Sequence, residues 1–223
     1  MNNMTTNTDD KIKRIVEKSA QDEGMSPMSP PDYFNAPSKI EEIPYDQLPS
    51  PIKKLVDEHK VAIEQLEKFQ NALVEFKESG FKYTPELSKT FKEFFEFFDN
   101  ELIPHHQKED KFLFPVLEKY LLKSGEHSKY MSNNQYETSV DVMEDDHLKM
   151  LQVGALIFNL LGIYVRIPDT VSRNLIADFV FNKGMELIDL LRVHIYQEEN
   201  ILFPQSVKFL SEEEFATISK YIK

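Results

Sequence analysis

Two stretches decide how this chain folds: HHQKEDKFLFP at His105–Pro115 and HIYQEENILFP at His194–Pro204, which align on each other without a gap. In each, a histidine is followed four residues later by a glutamate and then by Leu-Phe-Pro. A lone histidine preceded by two acids lies about one helix upstream of each, in DEH ending at His59 and DDH ending at His147. The chain is therefore built as two similar halves, and internal repetition at this length points to duplicated supersecondary units.

Outward from these stretches, the apolar spacing is helical. Ser50 and Pro51 read as a helix start, and Ile52, Leu55, Val56, His59, Ile63, Leu66, Phe69, Leu73 and Phe76 recur at three- and four-residue steps until Gly80. Thr84 and Pro85 repeat the start signal. Phe91, Phe94, Phe95, Phe98, Leu102, His105, Glu109 and Phe112 then form one stripe, ending near Phe114, with Pro104 expected to bend it. After a polar loop from Ser124 to Asn134, a third helix carries Val140, Met143, His147, Met150, Leu151, Gly154 and Phe158 on one side. A fourth helix, beginning after Pro168 and Asp169, carries Ile176, Phe179, Val180, Leu187, Leu190, Leu191, His194 and Glu198. Ser211 to Glu214 reads as a capping box for a short terminal helix. The expected fold is all-α, an antiparallel up-down-up-down four-helix bundle over residues 51–223.

Residues 1–50 read differently. Seven of the twelve prolines fall between Pro27 and Pro51, a density that opposes helix. The expectation is a proline-rich N-terminal arm, with a short helix near Asp10 to Ala20. Tyr33, Phe34 and Tyr45 are its candidate anchors, either to the bundle or to a second subunit of a homodimer.

Composition excludes several classes. A net charge of −12 sets the surface against nucleic acid and anionic membranes. There is no cysteine, which removes disulfides, thiolate metal sites, iron–sulfur clusters and thiol nucleophiles. No apolar run reaches about 18 residues, and the first twenty residues are charged throughout, so a soluble, cytoplasmic chain is expected.

Spacing gives the repeat its chemistry. Residues four apart on a helix project in the same direction, so each HxxxE is a chelating pair. Antiparallel hairpins bring His59 level with His105 and Glu109, and His147 level with His194 and Glu198. Packed together, the hairpins place four histidines and two glutamates at one depth, where unpaired charge would be costly without a metal. Imidazole with carboxylate suits iron, zinc, manganese or copper, and two carboxylates among four imidazoles suit two bridged metals. The expected cofactor is a pair of iron ions with an oxo or hydroxo bridge, ahead of zinc or manganese. Each iron then has one open octahedral position for a small diatomic or peroxide.

His106, which the repeat aligns with Ile195, is expected beside the metal ligands and not among them. His127 lies in the polar loop and reads as solvated. Asp57, Glu58, Asp145 and Asp146 read mainly as a solvated acidic face that can also orient the lone histidines.

Over roughly Ile52 to Val207, this order of H, HxxxE, H and HxxxE resembles the hemerythrin-like, or HHE cation-binding, domain. It is similar to the bacterial branch that includes the repair-of-iron-centres proteins, and to the domain of the mammalian iron-sensing ubiquitin ligase subunit. It departs from the invertebrate oxygen carrier, which has a fifth histidine where this chain has Leu151 and an aspartate where it has Glu199; Glu198 replaces that ligand. The resemblance implies two nearly equivalent, open metals, suited to binding or sensing oxygen, nitric oxide or iron. A redox enzyme acting on peroxide or nitric oxide is the alternative.

Overall fold

The computed structural model of the protein describes residues 43–126 and 138–222. The arm up to residue 42, with its expected short helix, Tyr33 and Phe34, lies outside the described residues, as do His127 and most of the 124–134 loop. Within them the chain is helical, without strands.

A 3₁₀ turn at Tyr45–Gln47 leads into α1, Ser50–Glu78. Tyr45 pins this entry by donating to Asp57 at 2.8 Å, while the Lys60 ammonium lies 4.3 Å from its ring centre. The helix begins one residue earlier than the sequence suggests, with Pro49 as N-cap and Ser50 already helical. α1 ends in a tight turn in which Gly80 and Phe81 both take positive φ, at 70° and 63°, and the Phe81 amide donates back to the Phe76 carbonyl. Phe81 accepts this left-handed conformation because its ring packs on Phe76 and its carbonyl accepts from the Tyr164 hydroxyl.

The second rod, α2, is one continuous helical path made of Pro85–Phe97, Phe98–Leu102, Ile103–Lys108, Glu109–Leu113 and Phe114–Ser124. The Thr84 hydroxyl caps it by accepting from the Leu87 amide. Two of its segments, Phe98–Leu102 and Glu109–Leu113, are wider π turns. α3 spans Ser139–Tyr164, opened by a capping box between Thr138 and Asp141. α4 runs through Thr170–Gln197, a third π turn at Glu198–Leu202, and Phe203–Phe209, with Asp169 accepting from the Ser172 amide at its start. α5, Glu212–Ile218, opens on the expected Ser211–Glu214 capping box.

The four long helices run alternately up and down. Phe76 meets Phe91 at one end of the α1–α2 pair and His59 meets His105 at the other. Phe95 meets Phe158 and His106 meets His147 between α2 and α3. α4 packs on both α3 and α1, closing the ring.

All three π turns end two residues before a proline: Leu102 before Pro104, Leu113 before Pro115, Leu202 before Pro204. Proline removes a backbone donor and crowds the carbonyl of the preceding turn, and widening that turn relieves both. This is why α2 continues past Phe114 to Ser124 instead of ending there. Pro104 has no counterpart in the second half, where Val193 stands, and α4 is regular at that point.

The buried apolar residues form two clusters. One is phenylalanine-rich and lies toward the Gly80 turn; the other gathers Ile52, Leu55, Leu113, Phe114, Val140, Met143, Phe203 and α5. Leu151, Phe158 and Phe179, expected on inner stripes, are instead 44%, 60% and 45% exposed. α3 has an 18-residue window apolar enough to pass for a membrane span, but it carries His147 and buries Met150, Gly154 and Ile157 in the bundle.

Close helix approach depends on two glycines. A Cβ on Gly154 would come within 2.6 Å of the Phe98 ring, and one on Gly184 would collide with the fully buried Leu73 side chain. Gly162 meets nothing within 4 Å. Chemical denaturation should therefore show Gly184→Ala destabilised by about 1–3 kcal/mol. Gly162→Ala, in the same assay, should be neutral or stabilised by up to ~1 kcal/mol; equal effects would mean that the close approach is not what constrains position 184.

Candidate metal centre

Between the two apolar clusters lies one polar layer. His59 sits on α1 between Leu55 and Ala62, and His105 with Glu109 on α2 between Leu102 and Leu113. His147 sits on α3 between Met143 and Met150, and His194 with Glu198 on α4 between Leu191 and Leu202. All six are buried, and both glutamates are fully so.

Their functional atoms converge in two groups. In the first, the Nε2 atoms of His59 and His105 are 3.1 Å apart. His59 Nε2 is 3.1 Å from Glu198 Oε2, and His105 Nε2 is 3.5 Å from Glu109 Oε1. In the second, the Nε2 atoms of His147 and His194 are also 3.1 Å apart. His194 Nε2 is 3.2 Å from Glu198 Oε1, and His147 Nε2 is 3.7 Å from Glu109 Oε2. Each glutamate thus turns one oxygen toward each histidine pair.

Two donors bound at about 2.1 Å to one ion at a right angle sit about 3 Å apart, the spacing of both imidazole pairs. All four carboxylate oxygens are buried without a hydrogen-bond partner. Buried carboxylate without a partner is expensive, and a pair of cations between the glutamates would remove that cost. The donor set fits metal, and each group of four, with its donor atoms within 4.8 Å of one another, can hold an ion.

Electrostatics agree. Burial and the facing Glu198 push the Glu109 carboxyl well above its ordinary range. Glu198 goes the other way: burial opposes its charge, but His194 and His59 outweigh it. Burial also opposes charge on His59, yet Glu198 and Glu199 lift it to about 9. His105 is driven down to about 4, chiefly by burial.

Three of the four histidines are held from behind by a carboxylate on their other ring nitrogen. Glu58 lies 2.8 Å from His105 Nδ1 and also accepts from the Lys108 ammonium at 2.7 Å. Asp110 lies 2.7 Å from His147 Nδ1, and Glu199 lies 2.9 Å from His59 Nδ1. Such contacts fix ring tautomer and direction.

Asp110 and Glu199 were missed in the sequence, although a signal existed: each directly follows the glutamate of its HxxxE, at the same place in the repeat. Glu58 does orient a histidine, but it is the one across the hairpin and not its neighbour His59. Asp146, its counterpart, is one methylene shorter, and His194 Nδ1 is buried without a partner.

The lone histidines are also gripped by rings. Phe203 stacks on His59 with centres 5.6 Å apart, and Phe114 stacks on His147 at 5.7 Å. Nine residues separate each HxxxE histidine from its phenylalanine, which in a regular helix would put the two on roughly opposite faces. The π turn takes up one extra residue and brings the ring about 100° back toward the site.

His106 lies inside the site. Its ring is parallel to that of His147, with centres 4.0 Å apart and planes 11° from parallel, and it meets His194 edge-on at 5.3 Å. Burial, then the neighbouring imidazoles, holds its pKa well below the ordinary histidine value. On the opposite side, a cavity of about 330 Å³ reaches His59 and His105 between α1 and α2, past Lys54, Glu58, Leu102 and Lys108.

The family described as hemerythrin HHE cation binding domain matches residues 50–206, which span all four bundle helices and all six converging residues. No curated protein shows significant similarity to the chain. The match covers well over half of the sequence, and the chain belongs to the hemerythrin HHE family.

Proposed function

We propose that this member of the hemerythrin family holds two iron ions on His59, His105, Glu109, His147, His194 and Glu198, and uses them to bind or sense a small ligand such as oxygen, nitric oxide or iron itself. The observation that carries this reading is the pair of fully buried glutamates, unpartnered at all four oxygens, each facing two imidazole pairs whose nitrogens are 3.1 Å apart. Iron in such surroundings supplies Lewis acidity, a change of redox state and positions open to small ligands.

The chain's own groups divide the remaining work. Glu58, Asp110 and Glu199 hold imidazoles in their orientation, Phe203 and Phe114 cover the rings of His59 and His147 with hydrocarbon, and the cavity beside His59 and His105 supplies a route from outside. That same route favours a second reading, in which peroxide or nitric oxide enters and is turned over; catalytic turnover of peroxide by the iron-loaded protein would move the assignment to an enzyme.

Elemental analysis of protein purified without oxygen, paired with optical spectra before and after air, tests the centre. Two irons per chain and near-ultraviolet bands of a bridged pair are expected after oxidation. One zinc, or no metal after growth in iron, would sink the proposal. His105→Ala and Glu109→Ala should each lose most of the metal while the helical circular dichroism signal persists.

The outer carboxylates act at one remove. Asp110→Asn and Glu199→Gln should keep the fold and lower metal affinity by about 10–100-fold in chelator competition. Unchanged affinity in both would mean that the contacts to His147 and His59 are incidental.

A further inference from the structure

His106 is the polar group of the site for which the proposed function has no use. It is 7% exposed, and one of its ring nitrogens lies within 4.8 Å of a ring nitrogen of both His147 and His194. The hydrogen bonds of the site run among the other histidines and their carboxylates, and none among the described residues reaches His106. A buried imidazole packed against the donors of a site, with no hydrogen bond of its own among the described residues, is available to a ligand.

Two roles are open to it, and ring geometry separates them. An imidazole binds a metal through a lone pair in its own ring plane. An ion held by His147 would therefore lie near the plane of the His147 ring. The His106 ring is stacked face to face on that ring, 11° from parallel with centres 4.0 Å apart, so its plane passes well clear of the same ion. In this arrangement it cannot be a third imidazole ligand of that metal, although its distance alone would allow it. What it can reach is the space on its own side of that plane, beside the ion, where a small molecule bound at the centre would project.

The repeat sharpens the point. Phe114 and Phe203 hold equivalent places on the two lone histidines, but position 106 is polar where its counterpart is Ile195, also buried. At this place in the repeat one motif carries an imidazole and the other a hydrocarbon.

We propose that His106 is a hydrogen-bond donor to the small ligand of the centre, a diatomic or small anion with a free lone pair, and so gives the His147–His194 half a preference for such ligands that the other half lacks. This inference rests on the di-iron reading above. His106 is here a positioning residue for the ligand, and its removal should leave the iron in place.

The test uses the full-length, iron-loaded protein, wild type and with His106→Leu or His106→Gln. Leucine copies the apolar counterpart in the repeat, and glutamine restores an N–H. Three quantities are read: iron per chain, azide affinity from the visible charge-transfer band, and the azide stretching frequency in the infrared. Both variants should retain the wild-type iron content. His106→Leu should weaken azide by about tenfold, the usual worth of one hydrogen bond to a charged partner, and shift the stretch. His106→Gln should recover most of both.

Loss of about one iron per chain in both variants would make His106 a metal ligand and overturn the inference. Unchanged azide affinity and frequency in His106→Leu would reduce the ring to packing and overturn it equally. Wild-type protein that takes up no iron would instead defeat the di-iron reading, visibly and before any variant is compared.

Discussion

Two carboxylates buried face to face, with four imidazoles around them, form the constraint on which this bundle turns. Taking an ionised carboxylate out of water costs several kcal/mol even after the protein relaxes, and Glu109 and Glu198 have no hydrogen bond to offset it. The opposed shifts of the two carboxyls express that strain: burial and the facing carboxylate push Glu109 well above the ordinary range, while His194 and His59 draw Glu198 well below it. The layer persists because apolar clusters lie on both sides of it, so the helices cannot slide to expose it without separating phenylalanine and leucine packing at both ends. Cations at this depth would convert the most unfavourable feature of the fold into one that ties all four helices together.

The Leu-Phe-Pro ending of each repeat serves the same layer from the backbone. Proline forces the turn before it to widen, and the widened turn begins at the glutamate itself, at Glu109 and again at Glu198. The added residue re-aims the following phenylalanine onto the lone histidine of another helix. The acid after the glutamate meanwhile reaches that histidine's far nitrogen, Asp110 for His147 and Glu199 for His59. One short motif thus places a buried glutamate, a carboxylate behind a neighbouring imidazole and an apolar lid, and its contacts cross from one hairpin to the other. Duplication of the motif accounts for most of the symmetry of the site.

Much of this was legible in the sequence. Proline and capping signals at Thr84, Asp169 and Ser211 marked real helix starts, and the gapless repeat singled out six residues that the fold does bring to one depth. Less legible was anything that depends on helix phase. Leu151, Phe158 and Phe179 sit at positions compatible with an inner stripe, but in a four-helix ring the inward face is narrow, and these side chains fall outside it. The helix end at Phe114 was misread because proline usually stops a helix, and a π turn that absorbs it leaves no mark in apolar spacing. The roles of Asp110 and Glu199 depend on reach between helices, which spacing along one helix does not express.

Near-equivalence of the two candidate metal positions, which the matched motifs imply, does not extend to their surroundings. Glu58 supports His105, whereas Asp146, shorter by a methylene, leaves the far nitrogen of His194 without a partner. A histidine without that support is the weaker base toward a metal, since a carboxylate behind the ring raises its donor strength. The cavity opens on the His59–His105 side, while the His147–His194 side is roofed by the ring of His106. Each difference involves one side chain, and none alters the six converging residues. Duplicated halves can keep the donors that set metal affinity while diverging at positions 58/146 and 106/195, where electron donation, access and hydrogen bonding to a guest are decided. A pair of ions held there would have one better-supported position and one more poorly supported position beside His106, and a small guest would then have a physical reason to bind in one orientation.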